Sequence, residues 1–189
     1  MDEEHIERLI NTHPEEGVDG REWCQASMDA YLDIETAGLC PSSDQITIVG
    51  IYLIKGKIER LVQIVGYDIT AASITQSLDG VSTIFTYNGS HFDLPFIYAQ
   101  HKVNLAGDFK HCDLMYHCWD NNLYGGLKAV EHQLGINRLS KVNGYEAVRL
   151  WWRCVNDYDE TALNTLLEYN KEDVLNLRTL RDRLIQFSQ

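Results

Sequence analysis

Two acidic residues stand two apart in an otherwise apolar run, YLDIETAGL, Tyr31 to Leu39. Side chains alternate along a strand, so Asp33 and Glu35 share one face, roughly 6–7 Å apart, while Leu32 and Ile34 take the other. A carboxylate in such a run is costly to bury unless something pairs with it. A solvent-facing strand would show the same alternation. The run closes on Thr36-Ala37-Gly38, where the backbone can turn and come close to a ligand. A further acid, Asp93, follows the Asn88-Gly89 turn in TYNGSHFDLPF and stands just before a helical pattern. It reads either as a site carboxylate or as an N-cap that accepts helix-start amides. In LLEYNKEDVLNL, Tyr169 and Asp173 are four apart on a helix and share a face. The alternative there is a half-exposed Tyr beside an ordinary surface Asp. Together a strand, a strand-to-helix turn and a late helix offer four carboxylates. Two hard divalent cations, Mg²⁺ or Mn²⁺, take such oxygen ligands. A pair of them about 3.5–4 Å apart stabilises both the attacking and the leaving oxygen in phosphodiester cleavage.

Those residues need elements to hold them. MDAYLDI, QITIVGIYLI and IERLVQIVG read as three strands, the last two joined by the turn Lys55-Gly56-Lys57. Residues 70–78 suit a helix, VSTIFTYN a fourth strand, and FDLPFIYAQHK a helix with Pro95 in its first turn. FKHCDLM suits a fifth strand. LKAVEHQLG, GYEAVRLWWRCV and a run from about Asp159 to Phe187 have helical spacing, the last with Leu163, Leu166, Leu167, Val174, Leu177, Leu180 and Leu184 as its apolar stripe. The expected architecture is α/β: a mixed five-stranded sheet, three antiparallel strands then parallel ones, flanked by helices. Residues 1–25 are expected to form an acidic arm, with a short helix over 2–12 and a loop to 25 that Trp23 anchors. Residues 26–189 are expected to be one domain.

The chain has 189 residues, 44% of them apolar, and no apolar run of membrane-spanning length, so no membrane is expected. The start MDEEHIERLI lacks the basic head and apolar middle of a signal peptide, which predicts a cytoplasmic protein. Five irregularly spaced cysteines argue against a disulfide framework. A net charge of −12 argues against broad affinity for nucleic acid. Two bound divalent cations would cancel part of it and reverse the field locally.

Other clusters compete for attention. HCDLMYHCW offers His111, Cys112, His117 and Cys118, but its adjacent His-Cys pairs point apart on a strand-to-helix segment, which disfavours zinc. Asp113 in the same stretch reads as a helix cap rather than a fifth site acid. In the helix GYEAVRLWWRCV, one stripe carries Tyr145, Arg149, Trp152 and Arg153, a combination suited to phosphate contact and base stacking, while Ala147, Leu150, Trp151 and Cys154 read as core. A buried Trp152 with arginines paired to acids is the alternative. Lys128, Arg138 and Lys141 precede that helix and could extend its basic side.

DIETAGL, YNGSHFDLP and YNKED, in this order, resemble the three motifs of the DEDD exonuclease superfamily, whose fold is ribonuclease-H-like. The match runs from residue 27 to about 185. Tyr169 four residues before the last Asp resembles the DEDDy branch; the other branch has a His five before it, where this chain has Glu168. The motif wording is most similar to the YprB-like ribonuclease-H domain family. Ala37 stands where Thr is frequent, which removes a hydroxyl but no expected ligand. The resemblance implies a 3′–5′ exonuclease acting on single-stranded DNA or RNA. Asp33, Glu35, Asp93 and Asp173 would hold two divalent cations, Mg²⁺ or Mn²⁺, and Tyr169 would orient the attacking water. Gly38 and Leu39 would lie near the terminal nucleotide, and Asn88 would touch substrate or simply make the turn. A non-catalytic nucleic-acid-binding module and a ribonuclease-H-type endonuclease are the competing readings.

Overall fold

The computed structural model describes residues 27–187. The expected arm over 1–25 lies outside them. ITIVGIYLIK, the most apolar stretch of the chain, forms strand β2 (Ile46–Lys55), buried at its first eight positions. An element buried on both faces belongs inside a layered fold, and β2 pairs antiparallel with β1 (Met28–Thr36) and with β3 (Ile58–Val65). Gly56, at φ 62°, supplies the left-handed residue of the β2–β3 turn. β4 (Val81–Thr86) and β5 (Lys110–Asp113) add in parallel, giving the order β3-β2-β1-β4-β5. The expected mixed sheet is the one observed.

Parallel strands need crossovers, and helices supply them. Helix α1 (Ala71–Ser77), closed at its start by a Thr70–Ser73 capping box, leads into β4. α2 (Asp93–His101) and α3 (Leu105–Asp108) lead into β5. α4 (Leu114–Asp120), α5 (Leu127–Gln133), α6 (Gly144–Asp157) and α7 (Glu160–Phe187) follow. The fifth strand is shorter than its sequence suggests because the Asp113 carboxylate accepts from the Met115 amide at 3.2 Å and starts α4 at once. The expected cap at Asp113 is therefore present, and α3 and α4 are additions that the sequence pattern did not separate.

The period of two along β1 sorts its side chains as expected. Ala30, Leu32 and Ile34 pack with Ile74, Leu78, Phe96, Ile97 and Leu105 on one face. Tyr31 points to the other and packs with Phe85, Val174, Leu177 and Leu180. There α7 lies across β1 and β2, its expected apolar stripe buried except for the half-buried Leu167. α6 docks beside it through Ala147, Leu150, Trp151 and Cys154, the stripe expected to be core.

Candidate active site

Asp33 and Glu35 emerge on the face of β1 beneath α7, and a register shift between Glu35 and Thr36 ends the regular ladder at the site. Asp173 reaches down from α7. Ligand oxygens of Asp33, Glu35 and Asp173 all lie within 4.8 Å of one another. Asp93 joins them by a different route. β4 pairs with β1 only as far as Tyr31, which leaves the outer edge of β1 without a strand partner beyond that point. The Asp93 carboxylate takes its place: Oδ1 accepts from the Ile34 amide at 3.0 Å. Asp93 is the first residue of α2, not its cap, and the cap position is Phe92. The turn before it is held by Asp113, whose carboxylate accepts from Asn88 N at 2.7 Å and Ser90 N at 3.0 Å. Asn88 is in the left-handed region at φ 61°.

The chain also holds the cluster from behind. Asp33 lies opposite Gly50 in the register of β1 and β2. The side chain of Asn170 occupies the space that a Cβ at position 50 would need. From there Asn170 Nδ2 donates to Asp33 Oδ2 at 3.2 Å, and Asn170 Oδ1 accepts from Gln63 Nε2 at 3.0 Å. Neither Asn170 nor Gln63 was singled out from the sequence; the signal available was an amide next to Tyr169 within YNKED.

Electrostatics mark these acids as poorly satisfied by the chain itself. Burial pushes the Asp33 carboxyl from 3.8 up to about 7, against the Asn170 amide and the charges of Arg138 and Lys128. Burial raises Glu35 and Asp93 well above the usual carboxylate range, and their acidic neighbours, Asp33 first, add to it. Glu35 Oε1 is buried without a hydrogen-bond partner. Oxygen donors that converge, are buried and include an orphaned acceptor fit a hard divalent cation. A group with a raised folded pKa stabilises the fold below its unfolded pKa and loses that contribution as pH rises through the folded value. Without divalent ions, thermal unfolding in EDTA is therefore expected at a lower temperature at pH 8 than at pH 5, with saturating Mg²⁺ restoring most of the difference at pH 8. A midpoint that is level across that range and indifferent to Mg²⁺ refutes this account.

Tyr169 is buried on α7 one turn before Asp173. Burial, then the charges of Glu35 and Asp33, push its hydroxyl above its ordinary value of 10.0, so it stays protonated at neutral pH. Lys128 Nζ stands 4.5 Å from its ring centroid and the Arg138 guanidinium carbon 5.7 Å. Arg138 also pairs with Asp173. Both cations thus turn inward to the acids rather than extending the outer basic side expected of them.

The remaining expected residues are more dispersed. Leu39 is 83% exposed. Gly38 is glycine for a local reason, since a Cβ there would meet the Asp44 carboxylate. Arg149, Trp152 and Arg153 face solvent on the side of α6 away from the stripe that packs on α7, and Arg153 is paired with Asp159. In the cysteine-histidine stretch, His111 bonds Thr86 at 2.9 Å, Cys118 is buried in the core and His117 is exposed, so the four do not gather around a point. Among the described residues no helix is long and apolar enough to cross a membrane.

Comparison with known proteins places this arrangement. Residues 30–185 match the family model RNase_H_2 of the RNase_H superfamily. The uncharacterized protein YprB of Bacillus subtilis is 30% identical over an alignment of 110 residues that covers 53% of this chain and 27% of YprB, so the match spans about a quarter of that relative. The family B DNA polymerase of Pyrobaculum calidifontis superposes with a TM-score of 0.67 at 16% identity, over 92% of this chain and 26% of the polymerase. Brucella melitensis NrnC with bound Mg²⁺ superposes with a TM-score of 0.56 at 20% identity, over 86% of this chain and 73% of NrnC. At these identities the structural likeness is one of fold.

Proposed function

The chain belongs to the RNase_H superfamily, and from that premise we propose that it is a metal-dependent 3′–5′ exonuclease of the DEDDy type acting on single-stranded DNA or RNA ends. The observation that carries this reading is the convergence of Asp33, Glu35 and Asp173 within 4.8 Å, with Asp93 beside them and Glu35 Oε1 unpartnered. Asp33, Glu35, Asp93 and Asp173 would hold two divalent cations, Mg²⁺ or Mn²⁺. Bound there, the ions would supply charge stabilisation for the oxygens that enter and leave phosphorus, and a water more acidic than bulk water. NrnC, which shares the fold, has been seen with Mg²⁺ and with pGG bound, ligands of the two classes proposed here.

The chain's own residues then have separable tasks. Asn170 fixes one oxygen of Asp33 and leaves the other free. Tyr169, kept protonated by burial and by its acidic neighbours, is a poor base and orients the water through its hydroxyl. Lys128 and Arg138 provide positive charge beside Tyr169, which favours a phosphate over other anions of lower charge. Leu39, exposed beyond the site strand, would meet the terminal base, with Gly38 and Asn88 shaping the turns around it. Arg149, Trp152 and Arg153 would take the strand further out, where exposed cationic and aromatic groups suit backbone and base contacts.

The test uses 5′-labelled single strands of DNA and RNA with Mg²⁺, Mn²⁺ or EDTA. A ladder that shortens from the 3′ end only when metal is present is the expected result. Internal cuts would point to an endonuclease, and binding without any metal-dependent product to a non-catalytic module. Tyr169→Phe is expected to slow the ladder at least about tenfold, short of the 10²–10⁴ of a full proton-transfer role. A full rate in that variant removes Tyr169 from the mechanism.

A further inference from the structure

Arg138 is a buried cation placed among the acids that the proposed function assigns to metal. It sits in the segment between α5 and α6, and that segment is fastened along α7. Glu172 accepts from the backbone amides of Leu139, at 2.5 Å, and Ser140, at 3.0 Å. Glu131 of α5 tethers the guanidinium itself: Arg138 Nε donates to Oε2 at 2.7 Å, and Oε1 accepts from Asn176 at 2.9 Å. Glu131 is 2% exposed. Arg138 Nη2, which also donates to Glu131 Oε1 at 3.4 Å, pairs with Asp173, and Nη1 is buried without a hydrogen-bond partner.

We propose that Arg138 is a tethered counter-ion of Asp173 that competes with the divalent cation and holds the site's metal affinity down. This rests on the reading of Asp173 as a metal ligand. Asp33, Glu35 and Asp173 converge with Asp93 beside them and one oxygen orphaned, so their ionised forms repel one another unless a positive charge stands among them. Arg138 provides that charge in the metal-free protein and keeps Asp173 aimed at β1. It remains tethered through Glu131 when a cation arrives, and like charges then oppose each other. The cation is bound loosely until an anionic strand shares the positive charge. Arg138 is thus a positioning residue, and its removal has an effect opposite in sign to that of losing a support: the metal binds more tightly.

Mn²⁺ affinity, measured by calorimetry and by the electron paramagnetic resonance of free Mn²⁺, reads this directly in the full chain without any substrate. A charge of two facing a charge of one across about 6 Å amounts to about tenfold even at the dielectric of water. R138Q is therefore expected to bind Mn²⁺ about tenfold or more tightly than the wild type, while R138K, which keeps the charge, stays near the wild type. If R138Q does not fold, as judged by circular dichroism, E131Q/R138Q replaces it. That variant removes the tether with the cation and is still expected to bind Mn²⁺ several-fold more tightly, because the lost positive charge adjoins Asp173. Unchanged or weaker Mn²⁺ binding in the folded variant overturns the proposal, even with a wild type that degrades strands normally. A wild type that neither binds Mn²⁺ nor shortens labelled strands overturns the proposed function instead, and this inference with it.

Discussion

Asp173→Asn is expected to reduce metal-dependent release of nucleotides about a thousandfold or more while leaving the fold intact. Metal ligation is asked to supply several kcal/mol of charge stabilisation in the transition state, and each 1.4 kcal/mol or so is a factor of ten. Asn keeps the shape of Asp but not its charge. Asp173 is buried beside Asp33 and Glu35, so the loss of one negative charge there relieves repulsion as much as it removes attraction to Arg138. The rate and the fold should therefore separate, as single-turnover rates and thermal midpoints measured side by side will show. Asp33→Ala should match it in rate. A variant of either kind that degrades strands at more than a tenth of the wild-type rate would dismantle the metal assignment. A variant that loses rate only because it unfolds would say nothing for the assignment, which is why the midpoint belongs in the same experiment.

Glu131→Ala should have the largest effect on stability. Glu131 is 2% exposed, and its partners Arg138 and Asn176 come from two different elements around it. Ala at 131 takes from the buried guanidinium the acid that holds its Nε, leaves it Asp173 alone, and strands the Asn176 amide; breaking such a buried pair costs about 3–5 kcal/mol. In a domain of this size that is a fall of roughly 10 °C in the thermal midpoint. Urea titration at pH 7 reads the same quantity from the shift of its midpoint at constant slope. A loss below about 1 kcal/mol would mean that Asp173 and solvent suffice for the Arg138 guanidinium, and that Glu131 is not its anchor.

The sequence made Asp33 and Glu35 legible because a strand repeats every two residues, and the same period put Leu32 and Ile34 on the opposite face. Helical spacing did as much for Ala147, Leu150, Trp151 and Cys154, all buried. What escaped it depends on where other elements stop. Asp93 could be placed before a helix, but not at the edge of β1, because its bond to the Ile34 amide exists only since β4 ends short of that residue. The cap at Asp113 was readable within its own segment, whereas its grip on Asn88 joins residues 25 apart. Lys128 and Arg138 looked like an extension of an outward basic face. A charge carries no record of the direction in which its helix or loop is turned, and it is the contacts with Glu131 on α5 and with Glu172 and Asp173 on α7 that turn Arg138 and its segment inward.

The packing of Asn170 into the gap above Gly50 has a consequence for how this protein can vary. Positions 50, 63 and 170 lie on three separate segments, yet they share one small volume and one chain of amide contacts. Drift at one of them is not free of the others: a methyl group at 50 evicts the amide at 170, which strips Gln63 of a partner and unfastens Asp33. Related chains should therefore keep glycine, glutamine and asparagine as a set or exchange them together, and a homologue with a bulky residue at the first position should be found without asparagine at the third.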